Sequence, residues 1–170
     1  MRELFESARE ANADAERCQR QLQQFEDAAL RVGGASFEPH VSGTRDPDRM
    51  ARRVGAMVDR EERLRKRLDD DYELVDYATR VLYGEGGEGG LCESMSGVAA
   101  DILWWRYCAG KTWNAVAESV AYSVRQCQII HDQAFRHIQE RGIEATIHFR
   151  ASDVGGGGDG CASVMAPASA

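Results

Sequence analysis

The chain lacks the features that mark a membrane protein or a small metal-stabilised domain. In its 170 residues no apolar run approaches the roughly 18 residues of a membrane-spanning helix. The opening stretch MRELFESARE has charges where a signal peptide needs an apolar segment. Five cysteines, an odd number without a CxxC pair, argue against a zinc finger and against a disulfide framework. We therefore expect a cytoplasmic protein that has no membrane association, metal ion or other cofactor.

Sequence signals of catalysis are also missing. The glycine run GEGGEGG at 84–90 lacks the Lys-Ser/Thr pair of a phosphate-binding P-loop. No nucleophile with a nearby base is suggested. Cys127 and His131 have the spacing of a metal pair on a helix, but no further ligands lie close in the sequence. A core cysteine beside a surface histidine explains this pair better, and we expect no enzymatic activity.

Positive charge is scarce in the chain as a whole. Lys and Arg number 21 against 28 Asp and Glu, which gives a net charge of −7. A nucleic-acid-binding protein draws most of its non-specific affinity from neutralised phosphates, so the overall sign is unfavourable for that function. The excess of negative charge is unevenly distributed along the chain, however, because residues 91–141 contain five basic and five acidic side chains. The negative charge therefore lies mainly outside this segment.

The first half of the chain predicts a long antiparallel helical hairpin over residues 1–83. Heptad-spaced apolar residues predict one helix over about 2–32 and a second over about 47–83. The first stripe is Leu4, Ala8, Ala11, Ala15, Cys18, Leu22, Phe25 and Ala29, and the second is Met50, Val54, Met57, Leu64, Leu68, Val75, Ala78 and Leu82. A turn-rich loop joins the helices, which favours a hairpin. The stripes can pair within one chain or between two, so a monomer and a homodimer both remain open.

The rest of the chain divides by composition. The glycine-rich residues 84–90 predict a flexible hinge between the hairpin and a compact segment at 91–141. Residues 142–170 are predicted to be a mostly disordered tail, because they are rich in glycine and small side chains. Within that tail, 142–150 is ambiguous because of its β-branched residues. The predicted fold class is all-α.

Three short helices are predicted within 91–141. The first covers about 96–108, and the next two begin after the capping residues Thr112 and Ser123. The buried face of the third helix is predicted to contain Cys127, Ile130, Ala134, Phe135 and Ile138, and its outward face Arg125, Gln126, Gln128, Ile129, Asp132, Gln133 and Arg136. A short helix, a tight turn and a longer capped helix form a helix-turn-helix, whose second helix enters the major groove of DNA.

The candidate site residues follow from that docking geometry. Arg can form a fork of hydrogen bonds with guanine, Gln can pair with adenine, and an apolar group can contact the thymine methyl. The base-side candidates are Val124, Arg125, Gln126, Gln128 and Ile129, and the phosphate-side candidates are Lys111, Thr112, Ser123, His131 and Arg136.

The stretch LWWRYCAGKTWNAVAESVAYSVRQCQIIHDQAF, at 103–135, resembles the C-terminal region of bacterial sigma factors that reads the −35 promoter element. The shared features are an Arg-aromatic pair (Arg106-Tyr107), a glycine (Gly110), a Val-Ala pair (Val116-Ala117) and a capping serine. Because a long helical hairpin precedes it, this stretch is still more similar to phage and prophage sigma-like regulators, in the neighbourhood of the ArpU-type late-gene regulators. Most relatives have glycine in the turn, where this chain has Ala121, and alanine fits well there only if φ is not positive.

The resemblance implies a sequence-specific transcriptional regulator of the sigma-like type, encoded by a phage or prophage, with double-stranded DNA as its partner. The sparse Lys and Arg predict weak binding by a monomer, strengthened by dimerisation through the hairpin or by attachment to RNA polymerase. A second interpretation is a module that docks on RNA polymerase or a sigma factor without touching DNA. Apolar Val124 and Ile129 favour that interpretation. A third is the small DNA-recognition subunit of a phage packaging motor.

Overall fold

A computed structural model of the chain describes residues 1–33 and 47–150, with side chains described at 1–27, 52 and 54–150. All regular elements in these ranges are helical, which confirms the predicted all-α class. The predicted loop and the prediction of disorder after 150 lie outside the described residues.

Seven α-helices and one π-helical segment make up the described fold. They are α1 (Arg2–Gly33), α2 (Pro47–Tyr83), α3 (Gly90–Ser94), α4 (Gly97–Leu103), the π-helical segment (Trp104–Cys108), α5 (Trp113–Val120), α6 (Val124–Arg141) and α7 (Ile143–Ile147). The two long helices have nearly the predicted bounds, because heptad spacing and helix-ending glycines are local signals.

The two long helices pack against each other through the predicted apolar stripes. On α1 the stripe is narrow and buried at Ala8, Ala11, Ala15 and Cys18. Across the pair, the Gln19 amide donates to the Tyr72 hydroxyl and Arg67 forms an ion pair with Asp14. The start of α1 shares a core with the end of α2, through Phe5 and Leu82, whereas Phe25, further along α1, lies beside Arg60, further back along α2. The two helices are therefore antiparallel.

The stripe of α2 is buried at one end only. Ala78 and Leu82, close to its C-terminus, are fully buried. Val54 and Met57, which the heptad places on the same stripe, are 53% and 42% exposed. Burial of the stripe thus concentrates at the end of α2 that faces the following helices.

The base of the helical pair shares one hydrophobic core with the C-terminal helices. Phe5 of α1, which no heptad position predicted, is fully buried with its ring 5.4 Å from that of Phe135. The other buried members of this core are Ala8, Ala78, Val81, Leu82, Leu91, Ala99, Ala100, Leu103, Tyr107, Cys108, Ala134, Ile138 and Ile147. Because side chains of α1, α2, α4 and α6 meet there, the N-terminal helices are not packed as an independent unit.

The glycine-rich segment 84–90 differs from the predicted flexible hinge, since it forms a tight turn with close backbone packing. Gly84 has φ +73°, and a Cβ added to it would lie 1.8 Å from the carbonyl oxygen of Glu88. A Cβ on Gly89 would lie 2.5 Å from the carbonyl oxygen of Ile147. These positions need glycine because neighbouring backbone occupies the space of a side chain.

Residues 143–147 form α7, although they fall in the predicted mostly disordered tail. Gly142, at φ +91°, ends α6 and turns the chain. Thr146 and Ile147 are then buried, and the Thr146 hydroxyl donates to the Gly142 carbonyl at 2.7 Å. The β-branched residues that made this stretch ambiguous serve to pack it against α2 and α3, which corrects the prediction for this part of the tail.

The predicted helix over about 96–108 changes its winding halfway. Its last turn is π-helical, with the Ala109 N–H donating to the Trp104 carbonyl at 2.9 Å. The wider turn brings Tyr107 and Cys108 into the core, while Trp104 and Trp105 stay half-buried. Tyr107 thereby comes within hydrogen-bonding reach of α6.

Candidate nucleic-acid interface

Two capped helices and a short turn form the centre of the candidate interface. The Thr112 hydroxyl accepts a hydrogen bond from the Ala115 N–H at 3.4 Å at the start of α5. The Ser123 hydroxyl accepts one from the Gln126 N–H at 3.2 Å at the start of α6. Both predicted caps are confirmed, and only residues 121–123 separate the two helices.

The turn between α5 and α6 contains the only described non-glycine residue with positive φ. Ala121 adopts φ 57° and ψ 36°, the left-handed conformation. For an L-residue this conformation costs roughly 1–2 kcal/mol. The N–H of Tyr122 donates to the Ala117 carbonyl at 3.0 Å and closes the end of α5. Alanine therefore occupies a conformation that glycine adopts more readily.

The outward face of α6 is exposed as its spacing predicts. It consists of Arg125, Gln126, Gln128, Ile129, Asp132, Gln133 and Arg136. The inward face buries Cys127, Ala134, Phe135 and Ile138, and Ile130 is half-buried between the two core clusters. A band of arginine, amide and isoleucine side chains is thus presented to solvent near the start of the helix.

Val124 does not share that exposure. It is half-buried and packs against a second core cluster that contains Ile102, Val116, Ala117 and Cys127. The first residue of α6 thus anchors the start of the helix to α4 and α5. We correct its assignment from a base-side candidate to a packing residue.

His131 is buried, which corrects its predicted surface position. Only 7% of the residue is exposed. Its Nε2 lies 3.0 Å from the Tyr107 hydroxyl, and its Nδ1 lies 3.1 Å from the carboxylate of Asp132. The ring also packs edge-on against Trp113 and Phe135. Position 131 follows Cys127 by one helical turn and precedes Phe135 by another, and this spacing places it on the buried face of α6.

The surroundings of His131 favour its neutral form. Burial lowers the pKa of His131, while the neighbouring Asp132 raises it to a smaller degree. Burial also raises the pKa of the Tyr107 hydroxyl, which therefore remains an O–H donor. In the neutral ring, Nδ1–H donates to Asp132 and Nε2 accepts from Tyr107. The ring nitrogens are satisfied internally, so His131 is not a phosphate contact.

We expect the protein to lose stability on mild acidification because of this histidine. Its pKa is lowered from the ordinary value of 6.5 by burial, so the unfolded chain binds the proton first as the pH falls. The free energy of unfolding should decrease from about pH 6.5 downward, until the folded protein is also protonated. Urea unfolding across this pH range would measure the effect.

In the variant His131→Gln, this part of the pH dependence should disappear. Burial lowers the pKa of His137 in the same direction, so a smaller dependence should remain. His148→Gln is the control, because the side chain of His148 is 60% exposed. An unchanged pH profile in His131→Gln would contradict the assignment.

The start of α5 presents cationic and hydroxyl groups beside α6. Lys111 and Thr112 are exposed. The Arg106 guanidinium lies 5.0 Å from the centre of the Trp113 ring and donates to the Lys111 carbonyl at 2.9 Å. Burial lowers the pKa of Arg106, and the charge of Arg9 on α1 lowers it further. Arg106 is therefore held against the start of α5, with the like charge of Arg9 nearby on α1.

The N-terminal end of α1 borders the outward face of α6, which the sequence did not predict. Arg2 forms an ion pair with Asp132 at 2.8 Å, and its guanidinium lies 5.3 Å from the centre of the Phe135 ring. A groove runs beside this pair, and it is lined by Met1, Arg2, Asp132, Phe135, Arg136 and Gln139. The long helices thus contribute directly to the surface around α6.

Comparisons of the chain with protein-family models, curated proteins and solved structures found no match. Among the described residues, no three His, Cys, Asp or Glu side chains are grouped so that they could hold a metal ion. None of the helices in the described ranges has the length and apolar character needed to cross a membrane.

Proposed function

We propose that this protein binds double-stranded DNA through α6 and acts as a sequence-specific, sigma-like transcriptional regulator of a phage or prophage. The observation that supports the proposal is the exposed group Arg125, Gln126, Gln128 and Ile129 at the start of a helix that follows a three-residue turn. In a helix-turn-helix, these early positions of the second helix reach base edges in the major groove.

The chemistry of these side chains suits base reading. The guanidinium of Arg125 can donate two hydrogen bonds to O6 and N7 of guanine. The amides of Gln126 and Gln128 can pair with adenine, and Ile129 can pack against a thymine methyl. Each well-formed bidentate contact discriminates against the wrong base by about 1–3 kcal/mol.

Phosphate contacts are proposed at the edges of this surface. Lys111 and Arg136 provide exposed positive charges. The hydroxyls of Thr112 and Ser123 accept hydrogen bonds as helix caps, and each retains a hydrogen that it can donate to a phosphate oxygen. These residues fix the position of a duplex without reading its sequence.

We expect variants of Arg125 and Lys111 to affect binding in different ways. Sites selected from a random DNA pool provide the ligand, and fluorescence anisotropy against matched and mismatched duplexes provides the measurement. Arg125→Ala should lose about 1–3 kcal/mol of preference at one base pair. Lys111→Ala should weaken all duplexes evenly and reduce the slope of log affinity against log salt by about 1.

The control for these variants is Arg20→Ala, which removes an exposed arginine that lies on α1 and pairs with Glu16 of the same helix. It should leave both base preference and salt slope unchanged. Unaltered binding by both Arg125→Ala and Lys111→Ala would contradict the proposed docking. The mass of the selected complex would show whether one chain or two bind each site.

A second candidate function is docking on RNA polymerase or a sigma factor without DNA contact. The observation that favours it is the exposure of two large apolar side chains, Tyr122 at 44% and Ile129 at 43%. Side chains of this kind are enriched at the centres of protein interfaces. Retention of polymerase by the immobilised protein in nuclease-treated extract, together with failure to bind any duplex at low salt, would favour this function over the first.

A further inference from the structure

The first turns of α1 are held rigidly beside α6. Phe5 is fully buried, with its ring 5.7 Å from that of Tyr107 and 5.4 Å from that of Phe135. Further along α1, the side-chain amide of Asn12 lies beside Gly110, since a Cβ on that glycine would come within 3.6 Å of it. The N-terminal half of α1 therefore runs from the outward face of α6 to the start of α5.

Arg2 extends the exposed stripe of α6. On that helix, Arg125, Ile129, Asp132 and Arg136 follow one another at intervals of three or four residues, and they therefore lie on one face. Asp132 contributes a negative charge to this stripe, which opposes an approaching phosphate. Arg2 pairs with this carboxylate at 2.8 Å and leaves its other guanidinium N–H groups available, because its side chain is 59% exposed.

Arg9 adds a second positive charge from the same face of α1, two helical turns after Arg2. It is close enough to Arg106 for its charge to lower the pKa of that guanidinium. Arg2 and Arg9 also act on the hydroxyl of Tyr107, together with the carboxylate of Glu6. The N-terminal helix thus places two cations around the π-helical segment.

These groups form a local basic surface on an acidic protein. We define it as Arg2, Arg9, Arg106, Lys111 and Arg136, with Glu6 and Asp132 as the carboxylates in contact with it. Five positive and two negative charges leave a local excess of three, whereas the chain as a whole has a net charge of −7. Cations held together in this way repel one another unless an anion lies between them.

We infer that Arg2 and Arg9 contact the phosphate backbone of the duplex bound by α6, so that α1 is part of the DNA-binding surface. This inference rests on the proposed function. The favoured partner is duplex DNA, because the surface continues the α6 stripe and extends over the π-helical segment and α1. A helix in the major groove has the phosphate backbone on both sides, where cations on a flanking element can reach it.

The double variant Arg2→Ala/Arg9→Ala tests this inference on the full-length protein. Anisotropy titrations with a fluorescent duplex of mixed sequence, over a range of salt, measure the slope of log affinity against log salt. Loss of two phosphate contacts should lower the magnitude of this slope by about 1.8 and weaken binding about tenfold or more at about 0.1 M salt. Circular dichroism confirms that the variant remains folded.

Arg17→Ala/Arg20→Ala is the matched control, since it removes two exposed arginines further along α1 that pair with Asp14 and Glu16. It should leave the slope unchanged. Arg2→Lys/Arg9→Lys should retain most of the slope, because the contacts depend on charge rather than on reading a base.

The outcomes separate this inference from the proposed function. If Arg2→Ala/Arg9→Ala behaves like the control while Lys111→Ala still lowers the slope, α1 is not part of the surface and the proposed function stands. Equal losses of affinity in Arg2→Lys/Arg9→Lys and Arg2→Ala/Arg9→Ala would also overturn the inference about α1, because a phosphate contact depends on charge. If the unmodified protein binds no duplex at low salt, both proposals are overturned.

Discussion

Replacing Phe5 by alanine should lower the free energy of unfolding by about 3–5 kcal/mol, the usual cost of removing a fully buried phenylalanine. Phe5 lies in the first turns of α1, and yet its ring packs against those of Tyr107 and Phe135, far along the chain. A cavity at this point would loosen α1 from α6 and from the π-helical segment together. The loss should therefore affect the whole protein and not only its N-terminal helix.

Denaturant unfolding followed by two probes would measure this effect. Far-ultraviolet circular dichroism reports largely on the long helices α1 and α2, whereas fluorescence reports on Trp104, Trp105 and Trp113 in the C-terminal helices. With one shared core the two transitions should coincide, and Phe5→Ala should shift both to lower denaturant. A shift in circular dichroism with unchanged fluorescence would show two independent units instead.

Phe25→Ala is the matched control for this experiment. Phe25 also lies on α1, but it is half-buried, and the guanidinium of Arg60 lies 5.2 Å from the centre of its ring. Replacing Phe25 removes less buried apolar surface than replacing Phe5, and it should lower the free energy of unfolding by less than about 2 kcal/mol. Equal losses from Phe5→Ala and Phe25→Ala would contradict the central role of Phe5.

Replacing Gly84 by alanine should cost about 3 kcal/mol or more, which combines the strain of a left-handed alanine with the cost of overpacking. The backbone has φ +73° there, and the new Cβ would lie 1.8 Å from the Glu88 carbonyl oxygen. The turn would have to open, and with it the packing of Gly89 against α7. A flexible hinge would instead tolerate the substitution or gain a little stability from the stiffer unfolded chain.

Substitutions at two other glycines, measured in the same unfolding assay, separate the effect of backbone strain from that of overpacking. Gly86 has φ +68° but open space around its Cβ position, so Gly86→Ala should cost only the conformational strain of about 1–2 kcal/mol. Gly55 lies inside α2 with nothing close to its Cβ position, and Gly55→Ala should stabilise the protein by up to about 1 kcal/mol. If Gly84→Ala and Gly86→Ala lower the free energy of unfolding equally, close backbone packing is not the reason that position 84 needs glycine.

Prediction from sequence succeeded where the cause is local. The ends of α1 and α2 follow from heptad spacing, from helix-ending glycines and from proline at the first helical position. The caps Thr112 and Ser123 follow from a hydroxyl placed before a helix. The exposed face of α6 follows from helical periodicity, which holds whatever the partner of the buried face is.

Prediction failed where the outcome depends on contacts between distant parts of the chain. The spacing along α6 allows His131 to be buried, but its hydrogen-bond partner Tyr107 lies 24 residues earlier, in a π-helical segment that no sequence pattern predicts. The glycine-rich segment 84–90 resembles a linker by composition, but nearby backbone leaves no room for a side chain at Gly84, Gly89 or Gly90, and at Gly89 part of that backbone belongs to α7. Its position at the start of α6 predicts that Val124 faces the groove. Residues of α4 and α5, which are distant in the sequence, half-bury it instead.

Spacing along a single helix is therefore enough to establish the helical class, the two long amphipathic helices and the exposed side chains at the start of α6. Contacts between distant helices, by contrast, place the start of α1 in the same core as α6 and beside its outward face. Phe5 and Arg2 look like ordinary residues of a helix start until Phe135 and Asp132 are brought beside them. These two contacts join residues that are 130 positions apart in the sequence, and no local pattern predicts them.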